Sequence, residues 1–395
     1  MNKIIHIGLL LFCIIFHSCK SASNETKEIQ KFYINLNDET NDMNELCQNM
    51  DIRLTPMESM DTCIFNDEAS DVYIVDDNIF IVDISQDIIF RFDRKGNFKN
   101  LLSQKGQGDK EYKTMFRAKF SDGSIYVQDH EKIQVYNYEG QFLKSIPIKE
   151  DRSDFIVSNQ RVYLRQSYTN EHQLLIFDES NNVVAEYLPS REVLRNFVIP
   201  TSNHDMMGSY DGGTYVANPM DYNIYLIKDT VSILAQLNFG TMNLPSDFFE
   251  GSSRIVEENF RRARATLIGD TPITKAITMI NNLIVTDGWI TFTPESFDPT
   301  AVYCNRKTGA SFTNKGLKEP YATFFKGYKC PRGYDPTTNE FYLLVNSMDL
   351  KEMIELLKES EGNNNENKYP FLKGINPEKI KDDTNAWMLF FKMKA

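Results

Sequence analysis

Beyond its leader, the chain contains no apolar run long enough to cross a bilayer as a helix. It contains no Cys-x-x-Cys pair, which disfavours the usual structural zinc sites and a thioredoxin-type redox role. Basic residues are outnumbered, 43 Lys and Arg against 55 Asp and Glu, and the net charge of −12 excludes a nucleic-acid partner, which needs a concentrated basic surface. The acidity fits an exported protein kept soluble by its own charge. There is no Gly-x-Ser-x-Gly elbow. The loop GQGDKEY, 106 to 112, lacks both the Gly-Lys-Ser/Thr ending and the following helix start of a phosphate cradle. SYDGGTY, 209 to 215, lacks the Thr-Trp that closes a sialidase Asp box.

The first residues read as a processing signal, residues 1–18: a basic MNK, the short apolar run IIHIGLLLFCIIF, then FHSC. Phe16 to Cys19 resembles a bacterial lipobox, although His17 stands where a small residue is usual. That resemblance implies cleavage before Cys19, with Cys19 lipidated as the first mature residue; a plain secretory signal cut nearby is the alternative. Residues 19–45, opening with the polar KSASNETKE that follows Cys19, read as a tether, and 46–395 as one domain. The expected location is the cell envelope, with the lipid in the outer membrane and the body on its periplasmic or surface face. In that oxidising setting Cys47, Cys63, Cys304 and Cys330 could pair; Cys47 with Cys63 and Cys304 with Cys330 are the simplest bridges, but other pairings and buried free thiols stay open.

What the sequence has in quantity is alternating β-branched and aromatic residues in short runs. Residues 125 to 148, IYVQDHEKIQVYNYEGQFLKSIPI, spell strand, loop, strand, EG turn, strand. Upstream, NIFIVDISQDIIFRFDRKGNFKNLL repeats the pattern, with Phe92, Gly96 and Phe98 matching Tyr136, Gly140 and Phe142. Looser copies begin at QRVYLRQ, GTYVANP and WITFTPE. Each copy is preceded by one more apolar segment: SDVYIVDD, TMFRAKFSD, DFIVSN, HDMMGSYD and AITMINN. Four strands per unit of roughly 40 to 50 residues is the signature of a propeller blade, which cannot bury its faces without neighbours.

The ends of the chain supply the closure. The last copy has strands expected in YATFFKGY, NEFYLLVNSM and NAWMLFFKMK but lacks an outer one. DIRLTPME, 51 to 58, has no unit of its own and is predicted to zip onto the C-terminal strand, so that no edge is left open. The fold class is therefore all-β, a six-bladed β-propeller whose N-terminal strand closes the last blade. Two small helical insertions interrupt it, at about 246–268, where Ser246 and Asp247 give cap signals, and at about 348–360, where Leu350, Met353, Ile354 and Leu357 recur at helical spacing.

The IYVxD…IQVYNxxGxF pattern resembles NHL-type repeats. With FHSC, DIRLTPMES, GQGDKEY and the ending DDTNAWMLFFKMK, the whole is similar to six-bladed β-propeller lipoproteins of Gram-negative bacteria of the gut type. Most of that family has no assigned activity, so the resemblance implies a fold and an address rather than a reaction.

Three histidines remain after processing, His130, His172 and His204, in successive units. Were they to converge, they could hold a divalent metal with an open position for water, as a hydrolase or lyase needs; as ordinary loop residues they would do nothing of the kind. Asp83 and Asp129, at equivalent strand ends, are expected to brace turns. Aromatics such as Tyr163, Tyr168, Tyr210, Tyr215, Tyr222 and Trp289 pack blades or, on an open face, could stack on a ligand. The leading expectation is a non-enzymatic, lipid-anchored binding module for a protein, peptide or glycan, with no resident cofactor. The alternative is a metal-dependent lyase or hydrolase using the three histidines.

Overall fold

The computed structural model describes residues 29–37, 43–148, 154–166, 170–178, 180–194, 205–264, 275–295, 300–325, 329–361, 368–381 and 383–394. In chain order, strand β1 (Gln30–Tyr33), helix α1 (Met43–Gln48) and β2 (Asp51–Pro56) precede the first full blade. Blade one is β3 (Ser70–Val75), β4 (Asn78–Asp83), β5 (Ile88–Asp93) and β6 (Phe98–Leu102). Blade two is β7 (Arg117–Ser121), β8 (Ser124–Gln128), β9 (Lys132–Asn137) and β10 (Phe142–Pro147). Blade three is β11 (Phe155–Ser158), β12 (Arg161–Arg165), β13 (His172–Phe177) and β14 (Val183–Pro189). Blade four is β15 (Met207–Tyr210), β16 (Gly213–Ala217), β17 (Asn223–Ile227) and β18 (Val231–Asn238); α2 (Ser253–Arg264) follows it. Blade five is β19 (Ile280–Val285), β20 (Trp289–Pro294), β21 (Val302–Asn305) and β22 (Ser311–Thr313), followed by α3 (Tyr321–Phe325). Blade six is β23 (Gly333–Asp335), β24 (Glu340–Val345) and, after α4 (Ser347–Glu361), β25 (Trp387–Lys392), with β2 on its outside.

The protein is thus a six-bladed all-β propeller, and the ring closes as the sequence requires. β2 runs antiparallel to β25 in unbroken register from Asp51 opposite Lys392 to Pro56 opposite Trp387. The second strands are the driest: every residue of β4, β16 and β20 is buried, because both faces of a blade pack on its neighbours. The apolar clusters accordingly lie between blades. One joins β3, β4 and β5 of blade one to Met388 and Phe390 of blade six, so the closing strand is held by packing as well as by its ladder.

Three expectations change. The segment read as a tether, 19–45, contains β1, which adds in parallel to the outer strand of blade four, Phe32 lying opposite Leu237. Phe32, Ile34 and Leu36 are buried in the cluster between blades four and five. The chain then reaches blade six, where α1 docks Met43 and Cys47 beside Phe325 and Phe341. The described residues of this segment therefore act as a strap, while 19–28 and 38–42 fall outside the described residues. Second, YATFFKGY does not supply the inner strand of blade six. Pro320 and the Glu319 carboxylate, which accepts from the Thr323 amide at 3.2 Å, start α3 instead; β23 takes the inner place. Third, all four cysteines are free and buried. Cys47 and Cys330 share one cluster, whereas Cys63 and Cys304 each sit in another, so neither simplest bridge forms.

The second helical insertion lies where the spacing puts it, whereas α2 begins at Ser253, past the Ser246 and Asp247 cap signals, which fall in a turn instead. In α2, Val256 and Phe260 join Phe248 and Leu194 in a small cluster of their own, and in α4, Leu350, Met353, Ile354 and Leu357 face the core of blade six.

Candidate functional site

The inner strands β3, β7, β11, β15, β19 and β23 ring a central axis, and the hairpin turns after them share one face. At four of those turns the first residue has positive φ: Asp76 at 48°, Asp122 at 49°, Asn159 at 51° and Asp211 at 49°. Asp and Asn tolerate that conformation, which the tight turn between twisted strands demands. These turns surround the mouth of an axial cavity of about 680 Å³, within the range of small-molecule sites.

Its wall mixes apolar side chains, Val75, Phe120, Ile156, Met207 and Ile284, with polar ones such as Ser209, Asn282 and Thr286, and Tyr210 and Tyr334 stand towards the mouth. Two positions carry no side chain, Gly208 and Gly333, paired with Tyr215 and Tyr342 of the second strands. A Cβ at Gly208 would lie 2.0 Å from the Tyr215 hydroxyl, and one at Gly333 would lie 2.1 Å from that of Tyr342. The tyrosines lie across their glycines to reach the next blade. Tyr215 donates to the Leu283 carbonyl at 2.9 Å, and Tyr342 accepts from the Ile74 amide at 3.2 Å. In blades four and six the place of an inner-strand side chain is thus taken by a second-strand tyrosine, which itself lines the cavity.

The far end is charged. Asp71, Arg117 and Asp154 occupy equivalent positions at the start of the inner strand in blades one, two and three, one alternation step before Tyr73, Lys119 and Ile156. Lys119 Nζ lies 2.5 Å from Asp205 Oδ1, and Arg117 Nη1 lies 3.3 Å from Asp154 Oδ1 and 3.4 Å from Asp205 Oδ1. Asp154 also accepts from the Met206 amide at 2.9 Å, and the Tyr73 hydroxyl donates to Asp205 at 3.3 Å. Burial would raise the Asp205 carboxyl, but Lys119 and Arg117 outweigh it and hold Asp205 below the usual range. Asp71 goes the other way: burial, then repulsion from Asp205, lifts it despite the opposing pull of Arg332, Lys119 and Arg117. Across the cavity floor Arg332, just ahead of β23, makes one long hydrogen bond, 3.4 Å to Asn282 Oδ1.

His130 and His172 are elsewhere. His130 lies between β8 and β9 with its ring edge-on to Phe116, centroids 4.9 Å apart. His172 opens β13, its Nδ1 2.9 Å from Glu186 on the adjacent outer strand. His204 falls outside the described residues. Because successive strands alternate in direction, the loop after the second strand opens on the face opposite the hairpin turns, away from the cavity mouth. Among the described residues no group of three or more His, Cys, Asp or Glu is placed to hold a metal. Asp83 and Asp129 brace the chain entering each blade: Asp83 accepts from the Asn66 amide at 2.8 Å, Asp129 from the Lys113 amide at 3.0 Å. GQGDKEY is likewise a packing loop, its Tyr112 hydroxyl buried and donating to the Asp87 carbonyl at 2.7 Å. Of the aromatics, Tyr210 and Tyr215 line the cavity, Tyr163, Tyr222 and Trp289 pack between blades, and Tyr168 is outside the described residues.

Residues 31–392 match the family described as Domain of unknown function (DUF4934). The chain belongs to that family. Among solved structures, this DUF4934 member is similar to a Bacteroides fragilis protein described as exported, at 14% identity and a TM-score of 0.65, over 93% of this chain and 100% of that one. It is also similar to a member of the duf4221 family from Bacteroides vulgatus, at 10% identity and a TM-score of 0.49, over 87% of this chain and 97% of that one. No curated protein matches it. At such identities the likeness to the Bacteroides fragilis protein speaks for the fold alone.

Proposed function

We propose that the mature protein is a non-enzymatic binding module of the cell envelope, anchored through a lipid on Cys19 in the outer membrane, which takes its ligand into the axial cavity from the hairpin-turn face. The observation that carries this reading is the cavity itself: a concave site of about 680 Å³ with apolar side chains on its wall and charged groups converging at its floor, features by which small-ligand sites are recognised. Among the described residues its lining contains no histidine or cysteine. The lipobox-like FHSC supports the anchor, and the similar Bacteroides fragilis protein described as exported agrees with an envelope address.

The test is ligand-observed NMR on the mature protein with a mixed library of amino acids, short peptides and oligosaccharides. The reading expects saturation transfer to a subset of compounds that compete with one another for one site. A library with no binder, or binders that do not compete, would contradict it.

A further inference from the structure

Two opposite charges face the cavity floor without a charge of their own to satisfy them. Asp71 begins the inner strand of blade one and Arg332 precedes that of blade six, and those two blades are neighbours across the ring closure. Lys119, Arg117, Asp154 and Asp205 pair among themselves. Among the described residues neither Asp71 nor Arg332 has an ion-pair partner, and only Arg332 has a side-chain hydrogen bond, the long one to Asn282. Each still feels the other, since Arg332 is the strongest cationic influence on the Asp71 carboxyl. Holding a carboxylate and a guanidinium half out of water costs free energy that no ion pair within the protein offsets. A ligand with an ammonium and a carboxylate on one carbon would offset it.

We propose that the cavity binds a free α-amino acid with a large apolar side chain, its ammonium on Asp71, its carboxylate on Arg332, and its side chain against Ile156, Met207 and Ile284. This rests on the reading of the cavity as the ligand site and names the ligand class. Asp122, Asp211 and Asp287 around the mouth disfavour a purely anionic guest, and Arg332 disfavours a purely cationic one. A neutral sugar could hydrogen-bond to both groups but would leave two desolvated charges uncompensated.

The experiment is isothermal titration of the mature protein with L-phenylalanine, 3-phenylpropionate, which lacks the ammonium, and 2-phenylethylamine, which lacks the carboxylate. L-phenylalanine is expected to bind at one site, each analogue at least about tenfold more weakly, because one buried charge is then left unmatched. Asp71→Asn should bring L-phenylalanine down to 3-phenylpropionate, Arg332→Gln should bring it down to 2-phenylethylamine, and Arg332→Lys should restore part of the loss. Equal affinity of the wild type for amino acid and analogues overturns the proposal without any variant. So does absence of L-phenylalanine binding: if other library compounds still compete for one site, the cavity stands and only the ligand class falls; if none binds, both fall.

Discussion

Asp71 and Asp205 lie in one electrostatic field and respond to it with opposite signs. For Asp205 the folded-state pKa is depressed, so its contribution to stability is present above the unfolded carboxylate pKa and is lost as pH falls through the lower folded value. For Asp71 the folded-state pKa is raised, so the folded form holds its proton more tightly; this contribution is full below the unfolded pKa and is lost as pH rises through the folded value. At neutral pH Asp71 therefore costs stability. Asp71→Asn should raise stability at pH 7, by about 0.5–2 kcal/mol if it behaves as single stabilising substitutions commonly do, while leaving it nearly unchanged in acid. Urea melts at the two pH values read this directly, and a loss of stability at pH 7 would refute the role assigned to the carboxylate. Asp154 is the contrasting case. It is fully buried against Arg117, and Asp154→Asn leaves a buried cation half-compensated, so that a loss of about 3–5 kcal/mol is expected in the same melts.

At the scale of elements, the strap is the feature with most at stake. β1 is only four residues long, yet Phe32 is fully buried between blades four and five, and the Ser311 hydroxyl donates to the Tyr33 carbonyl at 2.7 Å. Phe32→Ala should cost about 3–5 kcal/mol, as truncation of a buried aromatic does, whereas a segment that merely tethered the domain would tolerate it without effect on the melting curve. The sequence does not announce this strand: QKFY belongs to no repeat, and a parallel addition needs no hairpin partner nearby. Nor could a short apolar run such as YATFF be told from a strand by periodicity, and the local signals at Glu319 and Pro320 decide it as a helix. The blades themselves were legible, because alternation sustained over four strands and repeated around the ring has few other solutions. The floor of the cavity was not. Its residues come from different blades, and each alone looks like a stray charge in an apolar strand. Only the equivalent placement of Asp71, Arg117 and Asp154 marks them, a signal visible once the inner strands are aligned. The histidines drew attention by scarcity, which carries no geometry.

At the scale of the whole molecule, the proposed lipid on Cys19 and the proposed entry of ligand into the axial cavity can each be tested directly. Cys19→Ala should abolish incorporation of labelled palmitate and move the protein from the membrane to the soluble fraction of fractionated cells; unchanged membrane retention would remove the lipid from the account. The central claim is that ligand enters from the hairpin-turn face. Ser209, exposed on the cavity wall, and Glu131, exposed in the loop after the second strand of blade two, lie on opposite faces, and the four described native cysteines are buried. The decisive measurement is the affinity of a compound bound from the mixed library after a bulky maleimide is coupled to Ser209→Cys or, in parallel, to Glu131→Cys. The account predicts that the label at 209 abolishes binding and the label at 131 leaves it intact; binding that survives the first label, or is lost with the second, would contradict it.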